Sequence, residues 1–338
     1  MQVAKRRAMF ARTYRRLRIH SRIGAGLALA VLVAAGVGLG FNRRAQAEGS
    51  ESDKAEANER CAIRLSIAVL GKSPAPELLS SPDPQSAVDA MVTTPEFADR
   101  FARFFNAETN GGPSATPIDE PIYFLAKHIV SQKKPWTDMF IGPYAIVPNA
   151  AGTAMDVRED ANGLGYFRSP AWMKKYAGNE DQGYMLVAAF RMIQNTTGLE
   201  LVPSVGNPGE DRTANGRMVA PCKSCHFDAW YALDTYAKVL PKRKGMGDTM
   251  TFTPPTEGPQ QILGKTIADD KQLVMTLVDS DGWRFQQCRN VFKFLYGRAE
   301  NQCEAPVFDK CVDALVNEKT IQAAVAAVAK DPSFCAGK

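Results

Sequence analysis

Two cysteines and a histidine in the second half of the chain restrict local folding more than any other feature of the sequence. Cys222, Cys225 and His226 follow Pro221, with the imidazole directly after the second thiol. In an α-helix, residues at i, i+3 and i+4 lie on one face. The two thiols and the imidazole are therefore expected to point the same way from one helical turn, which a proline is suited to begin.

This spacing is the one used for covalent attachment of c-type haem. A structural zinc site fits less well, because it needs four ligands and no second Cys or His pair follows at comparable spacing. A thioredoxin-like redox pair needs a strand before its helix, whereas the stretch 202–217 is rich in Pro, Gly and Asn. We therefore predict one covalent haem c, with Cys222, Cys225 and His226 as cofactor-binding residues and His226 as the proximal iron ligand.

The N-terminal segment predicts export. Residues 1–47 contain 10 of the 41 Lys and Arg residues and no Asp or Glu, and most of these basic residues precede the apolar stretch 23–41. Such an asymmetry keeps an N-terminus in the cytoplasm and disfavours a buried core helix. Residues 45–47 suit cleavage, yet the apolar stretch is nearly long enough to span a bilayer. The segment is thus a signal peptide or an N-terminal membrane anchor, and the protein is expected in the periplasm of a Gram-negative bacterium, free or anchored to the inner membrane.

The charge of the exported part excludes one class of partner. Without residues 1–47 the chain has 31 Lys and Arg against 36 Asp and Glu, a formal net charge of −5 instead of +5. Nucleic-acid binding loses its electrostatic support, and we expect a redox partner protein, with membrane contact through an uncleaved N-terminal segment. A basic cluster follows the motif, at Lys238, Lys242, Arg243 and Lys244. We interpret it as a solvated loop in preference to a docking site or a partner for haem propionates.

The second axial ligand of the iron is not fixed by the motif. Met250 and Met246 are the favoured distal ligands, because the Gly- and Pro-containing stretch 244–255 can fold back over the haem. His128 is the alternative distal ligand, because it is the only other histidine outside the leader. An open or water-bound iron and a different methionine are the remaining possibilities.

The hydrophobic pattern predicts a mainly α protein, with a helical cytochrome c-like haem region flanked by two similar helical hairpins. Helices are expected over 61–70, 85–92, 96–105, 121–129, 184–192 and 227–240, and a strand over 144–147. The predicted organisation is a leader (1–47), a tether (48–58), an N-terminal helical region (59–135), an irregular central region (136–216) and a haem-binding and C-terminal helical region (217–338).

The hairpin prediction comes from an internal repeat. Residues 85–97 match residues 322–334 without a gap, and residues 61–72 resemble residues 288–298. Gly, Pro and Phe recur in the same order, and these residues have positional meaning in helix starts and ends. Shared Ala- and Val-rich composition is the alternative explanation.

Five further cysteines are available for disulfides, which an oxidising compartment favours. They are Cys61, Cys288, Cys303, Cys311 and Cys335. Because four of them lie within residues 288–338, we predict two bridges confined to that segment, with Cys61 free and buried.

Several motifs are spread over most of the exported part. They are Ala68-Val-Leu-Gly-Lys-Ser-Pro, Thr94-Pro-Glu-Phe-Ala-Asp-Arg-Phe, Lys134-Pro-Trp-Thr-Asp-Met-Phe, Gly165-Tyr-Phe-Arg-Ser-Pro-Ala, Cys222-Lys-Ser-Cys-His, Phe285-Gln-Gln-Cys-Arg and Leu295-Tyr-Gly-Arg. In these motifs the chain resembles the exported c-type cytochrome-like proteins with a single haem motif that are abundant in planctomycetes and myxobacteria. The resemblance implies a mainly helical protein with Cys222, Cys225 and His226 in the haem role. This chain departs from the pattern after the motif, with Phe227-Asp-Ala-Trp in place of an Asp-Pro-Leu-Gly-like stretch.

The expected function is single-electron transfer by an exported mono-haem cytochrome, which makes the protein an electron carrier in preference to an enzyme. Two alternatives stay open. The haem can be catalytic or ligand-sensing if the iron keeps an open position, or the domain can be a structural module of a surface assembly.

Overall fold

The computed structural model of the protein describes residues 51–111, 116, 119–201, 209, 211–228 and 231–336. Within this part of the chain the protein is mainly helical, as predicted. The helices are α1 (Glu51–Leu65), α2 (Pro76–Leu79), α3 (Val88–Met91), α4 (Pro95–Thr109), α5 (Pro121–Ser131), α6 (Asp138–Ile141), α7 (Pro170–Lys175), α8 (Leu186–Thr197), α9 (Ala214–Arg217), α10 (Lys223–His226), α11 (Leu233–Ala237), α12 (Asp270–Val278), α13 (Asp281–Tyr296), α14 (Ala305–Glu318), α15 (Ile321–Ala329) and α16 (Pro332–Cys335).

Short antiparallel hairpins are the only sheets in the described residues. They pair β1 (Tyr144–Pro148) with β2 (Met155–Glu159), β3 (Lys242–Lys244) with β4 (Thr251–Thr253), and β5 (Gln260–Ile262) with β6 (Lys265–Ile267). In the second hairpin Arg243 lies opposite Phe252. The strand predicted over 144–147 is β1, and the hairpins add a few residues, among them Ile146 and Ile267, to a core that is otherwise formed mainly by helices.

The two segments of the internal repeat have corresponding helix boundaries. Gly71 follows the π-helical turn Ser66–Leu70 that extends α1, and Gly297 follows α13; both glycines have φ near +70°. This left-handed conformation ends a helix and favours glycine. Pro95 and Pro332 occupy the first turns of α4 and α16, where a missing N–H is tolerated. The recurring Gly and Pro thus act as helix stops and starts in both segments.

One hydrophobic core joins the N-terminal and C-terminal helices. Helix α13 packs against α8, α12, α14 and α15, and also against α4. The ring of Phe101 lies 5.5 Å from Trp136 and 5.1 Å from Phe294, in edge-to-face arrangements. The buried Trp136 Nε1 donates to Gln287 Oε1 at 3.0 Å. The motif-bearing segment is attached to this helical body through α11, which packs against α8.

Two disulfides are present as predicted, but only one of them is confined to residues 288–338, and Cys61 is buried but not free. Cys61 pairs with Cys335, and Cys288 pairs with Cys311, while Cys303 is a free, exposed thiol. The first bridge forms because α16 packs against α1 and brings the two Cα atoms to 4.9 Å, within the range that a disulfide spans. Closeness in space decides pairing, so four cysteines that are near in sequence need not pair with one another.

The predicted tether is also different in the structure. Helix α1 begins at Glu51, so most of residues 48–58 are helical. Glu51 and Asp53 lie in the first turn, where negative charge is favourable. Residues 51–57 are exposed, which explains why their composition resembles that of a linker.

The leader of residues 1–47 lies outside the described residues, and so does the choice between signal peptide and anchor. Among the helices of the described part, none is long and apolar enough to cross a bilayer.

Candidate haem-attachment site

The motif forms a single helical turn. Cys222 immediately precedes α10, and the His226 N–H donates to the Cys222 carbonyl at 3.1 Å. This i to i+4 bond places the two residues above one another on the same side of the turn. Cys222 and Cys225 are free thiols, each partly exposed. The structure thus brings the three predicted cofactor-binding residues together on one short element.

The helix predicted over 227–240 was wrong in its extent. Helix α10 ends at His226, Ala232 adopts a left-handed backbone with φ of 34°, and of the described residues in 227–240 only those of α11 are α-helical. In a continuous helix, Asp234 would lie eight residues beyond His226, about 12 Å along the axis. Because α10 and α11 are separate helices, Asp234 instead lies against His226.

An imidazole–carboxylate pair is the central contact of the site. His226 Nδ1 lies 2.7 Å from Asp234 Oδ2. An ionised carboxylate can only accept, so the shared proton belongs to Nδ1 and the lone pair of the neutral ring is on Nε2. The Asp234 side chain is 4% exposed and the His226 side chain 23% exposed. Nε2 is thus the nitrogen that remains for a metal.

Arg217 fixes Asp234 from the other side. Its Nη2 lies 2.7 Å from Asp234 Oδ1 and 3.3 Å from Glu180 Oε1, while Nη1 donates to the Arg212 carbonyl at 2.7 Å. All three charged side chains are less than a tenth exposed. Removing one member of a buried charged group generally costs about 3–5 kcal/mol, because the partner charge is left without compensation. The network therefore holds Asp234 in one position.

The charges of this network support each other. Burial raises the pKa of Asp234, but hydrogen bonds from His226 and Arg217 outweigh burial and hold that pKa below its ordinary value. Burial lowers the pKa of Arg217, but Asp234 and Glu180 outweigh it and raise that pKa overall. Asp234 is therefore ionised at neutral pH and Arg217 is charged.

The β3–β4 hairpin is anchored to the same network. Arg243 Nη2 donates to the Glu180 carbonyl at 2.6 Å, and the Arg243 N–H donates to the Gly183 carbonyl at 2.9 Å. Gly183 has φ of +83°, and a Cβ there would overlap the Arg243 carbonyl. Arg243 is buried, so the interpretation of the basic cluster as a solvated loop was wrong for this residue, whereas Lys244 is exposed.

The three candidate distal ligands have different surroundings in the structure. Met246 is exposed and its Sδ lies within hydrogen-bonding distance of Arg243 Nη1, so it is linked to the network at Asp234. Met250 is partly buried against the core at the far end of the same β3–β4 connection. His128 lies on α5, which packs against α4, α6, β1 and β2, whereas α10 packs against α11. Burial lowers the pKa of His128, whose ring contacts Tyr144.

Glu180, Arg217 and Asp234 were not singled out from the sequence. Each is an ordinary charged residue in an unremarkable local pattern, and only the tertiary fold brings them together around His226. An acidic residue soon after a haem-type motif is a signal that could have drawn attention to Asp234, because metal-binding histidines commonly donate their second N–H to a carboxylate.

The donor set suits a haem iron. Within the described residues no group of three or more His, Cys, Asp or Glu side chains is arranged to hold a metal ion by itself. A haem supplies four ligands to its iron from the porphyrin, so the protein needs to provide only axial ligands. One imidazole with a free Nε2, beside two free thiols, meets that requirement.

Comparison of the chain with protein-family models, with curated proteins and with solved structures finds no match of any of the three kinds.

Proposed function

We propose that the protein is an exported mono-haem c-type cytochrome that transfers single electrons in the periplasm. Haem c is bound covalently through Cys222 and Cys225, and His226 is the proximal iron ligand. The observation that carries this proposal is the single turn on which two free thiols and an imidazole lie together, with Nδ1 engaged by Asp234 and Nε2 left for the iron.

The attachment chemistry needs only the residues of this turn. Cys222 and Cys225 would hold the haem by thioether bonds, each formed by adding the S–H of the cysteine across a vinyl double bond. Nothing leaves and no oxidant is required. Both thiols must be reduced for this addition, and Cys222 and Cys225 are not joined to each other or to a third cysteine. Four of the remaining five cysteines are paired in disulfides instead.

When bound, the haem iron supplies one-electron redox chemistry. The protein contributes axial ligation by His226, orientation by the buried network and the surface on which a redox partner protein docks. Nucleic acid is not a proposed partner. The resemblance to exported cytochrome-like proteins and the charge pattern of residues 1–47 favour a periplasmic location, with the leader cleaved or retained as an anchor in the inner membrane.

A haem with an open iron position is the second candidate. The favouring observation is that Arg243 Nη1 already lies against Met246 Sδ, so this methionine has a partner other than iron. An open iron would make the protein a catalytic or ligand-sensing haem protein.

Carbon monoxide separates the two candidates. We expect the dithionite-reduced protein to show the spectrum of a six-coordinate haem that carbon monoxide does not alter at neutral pH. Replacing the distal ligand, Met250→Ala or Met246→Ala, should open the iron and allow carbon monoxide to bind.

Two further variants complete the carbon monoxide experiment. His128→Ala tests the alternative ligand, and Met275→Ala is a matched control at an exposed methionine of α12. If the unmodified protein binds carbon monoxide, the open-iron function replaces the electron carrier.

A further inference from the structure

We propose that Asp234 is a positioning residue for the iron ligand, which aims Nε2 of His226 at the iron and lowers the reduction potential of the haem. This inference rests on the proposed function, because it concerns the ligand side of the same haem. A lowered reduction potential limits the class of redox partner that can donate electrons to the haem.

The contact itself is short and charge-assisted. Asp234 Oδ2 accepts the Nδ1 proton of His226 at 2.7 Å, a distance typical of a hydrogen bond to an ionised acceptor. Such a bond fixes the tautomer and the ring orientation of a metal-binding histidine and raises its basicity. Asp234 is thus placed to decide both where Nε2 points and how strongly it donates to a metal.

The Asp234 carboxylate is held by Arg217 on one side and by His226 on the other. Arg217 binds Asp234 through Nε and Nη2, and its Nη1 donates to the Arg212 carbonyl. With Arg217 and Asp234 both less than a tenth exposed, these bonds hold the Asp234 carboxylate against His226. The imidazole is therefore held in one orientation before any cofactor binds.

The sign of the charge beside His226 follows from its direct contact. Arg217 lies against both Asp234 and Glu180, and Arg243 adds a second cation at the Glu180 carbonyl, so the four side chains balance. The charged group in contact with the imidazole is nevertheless the negative carboxylate of Asp234, at 2.7 Å. Negative charge stabilises the ferric state over the ferrous state, because the ferric iron has one more positive charge. The haem should therefore have a lowered reduction potential, and its electron donor should belong to the low-potential carriers.

The test compares two variants of the haem-bearing protein by redox titration. Asp234→Asn keeps the shape of the side chain and removes its charge. We expect at least a tenfold shift of the ferric–ferrous equilibrium toward the ferrous state, which is a rise of about 59 mV for a one-electron couple. Glu180→Gln is the matched control, since it removes one charge from the same network without touching His226, and its shift should be clearly smaller. No shift in Asp234→Asn, or equal shifts in both variants, would overturn the positioning role.

A second measurement covers the case in which Asp234→Asn does not fold. In reduced protein labelled with ¹⁵N-histidine, the His226 Nδ1 proton should resonate far downfield and exchange slowly with solvent, whereas exchange at the rate of an exposed histidine would overturn the inference. The outcomes are distinguishable. If the unmodified protein carries no covalent haem, the proposed function and this inference are both overturned. If the protein carries haem but its reduction potential does not change in Asp234→Asn, this inference alone is overturned.

Discussion

Replacing Cys222 and Cys225 together with serine is expected to abolish covalent haem attachment completely when the protein is made in a host with a c-type maturation system. Serine hydroxyls do not form the thioether bonds that the two thiols supply, and His226 alone binds haem only reversibly. Any haem that the variant retains should pass into acid acetone, whereas the haem of the unmodified protein should stay with the denatured polypeptide.

Cys303→Ser is the matched control for this experiment. Cys303 is the remaining free cysteine of the described residues and is exposed, so its replacement should leave one covalent haem per chain. A double variant at Cys222 and Cys225 that still carries haem after denaturation would show that the attachment site lies elsewhere.

Removing the disulfide between Cys61 and Cys335 is expected to cause the largest loss of stability from any cysteine pair. This bridge joins residues 274 apart in sequence, so it restricts almost the whole described chain in the unfolded state. The chain-entropy model gives about 6 kcal/mol for a loop of that size, and about 3 kcal/mol for the shorter loop that Cys288–Cys311 closes. The variant with Cys61→Ala and Cys335→Ala should therefore lose about 6 kcal/mol of unfolding free energy in urea titrations.

The same titrations in dithiothreitol distinguish the stability that comes from the disulfide bond from the stability that comes from packing of the two side chains. With the disulfides of the unmodified protein reduced, its stability should approach that of the double alanine variant. A difference below about 1 kcal/mol without reductant, or an equally large difference with reductant, would contradict a stabilising bridge.

Local signals in the sequence were sufficient to predict where many of the helices begin or end. Thr94 and Pro95 precede apolar residues at helical spacing, and α4 begins at that proline with the Thr94 side chain as its cap. Gly71 was expected to end the first helix and does so in a left-handed conformation. These features depend on neighbours within one or two turns, which is the range over which hydrophobic periodicity and capping residues are informative.

Features that depend on distant residues were not accessible in the same way. The helix expected over 227–240 has suitable periodicity, but the positive φ of Ala232 breaks it and no glycine marks that position. The pairing of Cys61 with Cys335 depends on the packing of the first helix against the last.

The environment of His226 is a further example. Glu180, Arg217 and Asp234 come from three separate segments, so the motif could indicate the proposed ligand His226 but not the network that orients it. Only Asp234 is near the motif in sequence, and nothing local points to Glu180 or Arg217.

The intact mass of the unmodified, denatured protein tests the central claim most directly. Protein produced in a host with a c-type maturation system should be heavier than its polypeptide by the mass of one haem, and that mass should map to the peptide that contains Cys222, Cys225 and His226. A mass equal to that of the polypeptide alone, or a haem located on a different peptide, would contradict the assignment of this protein as a mono-haem c-type cytochrome.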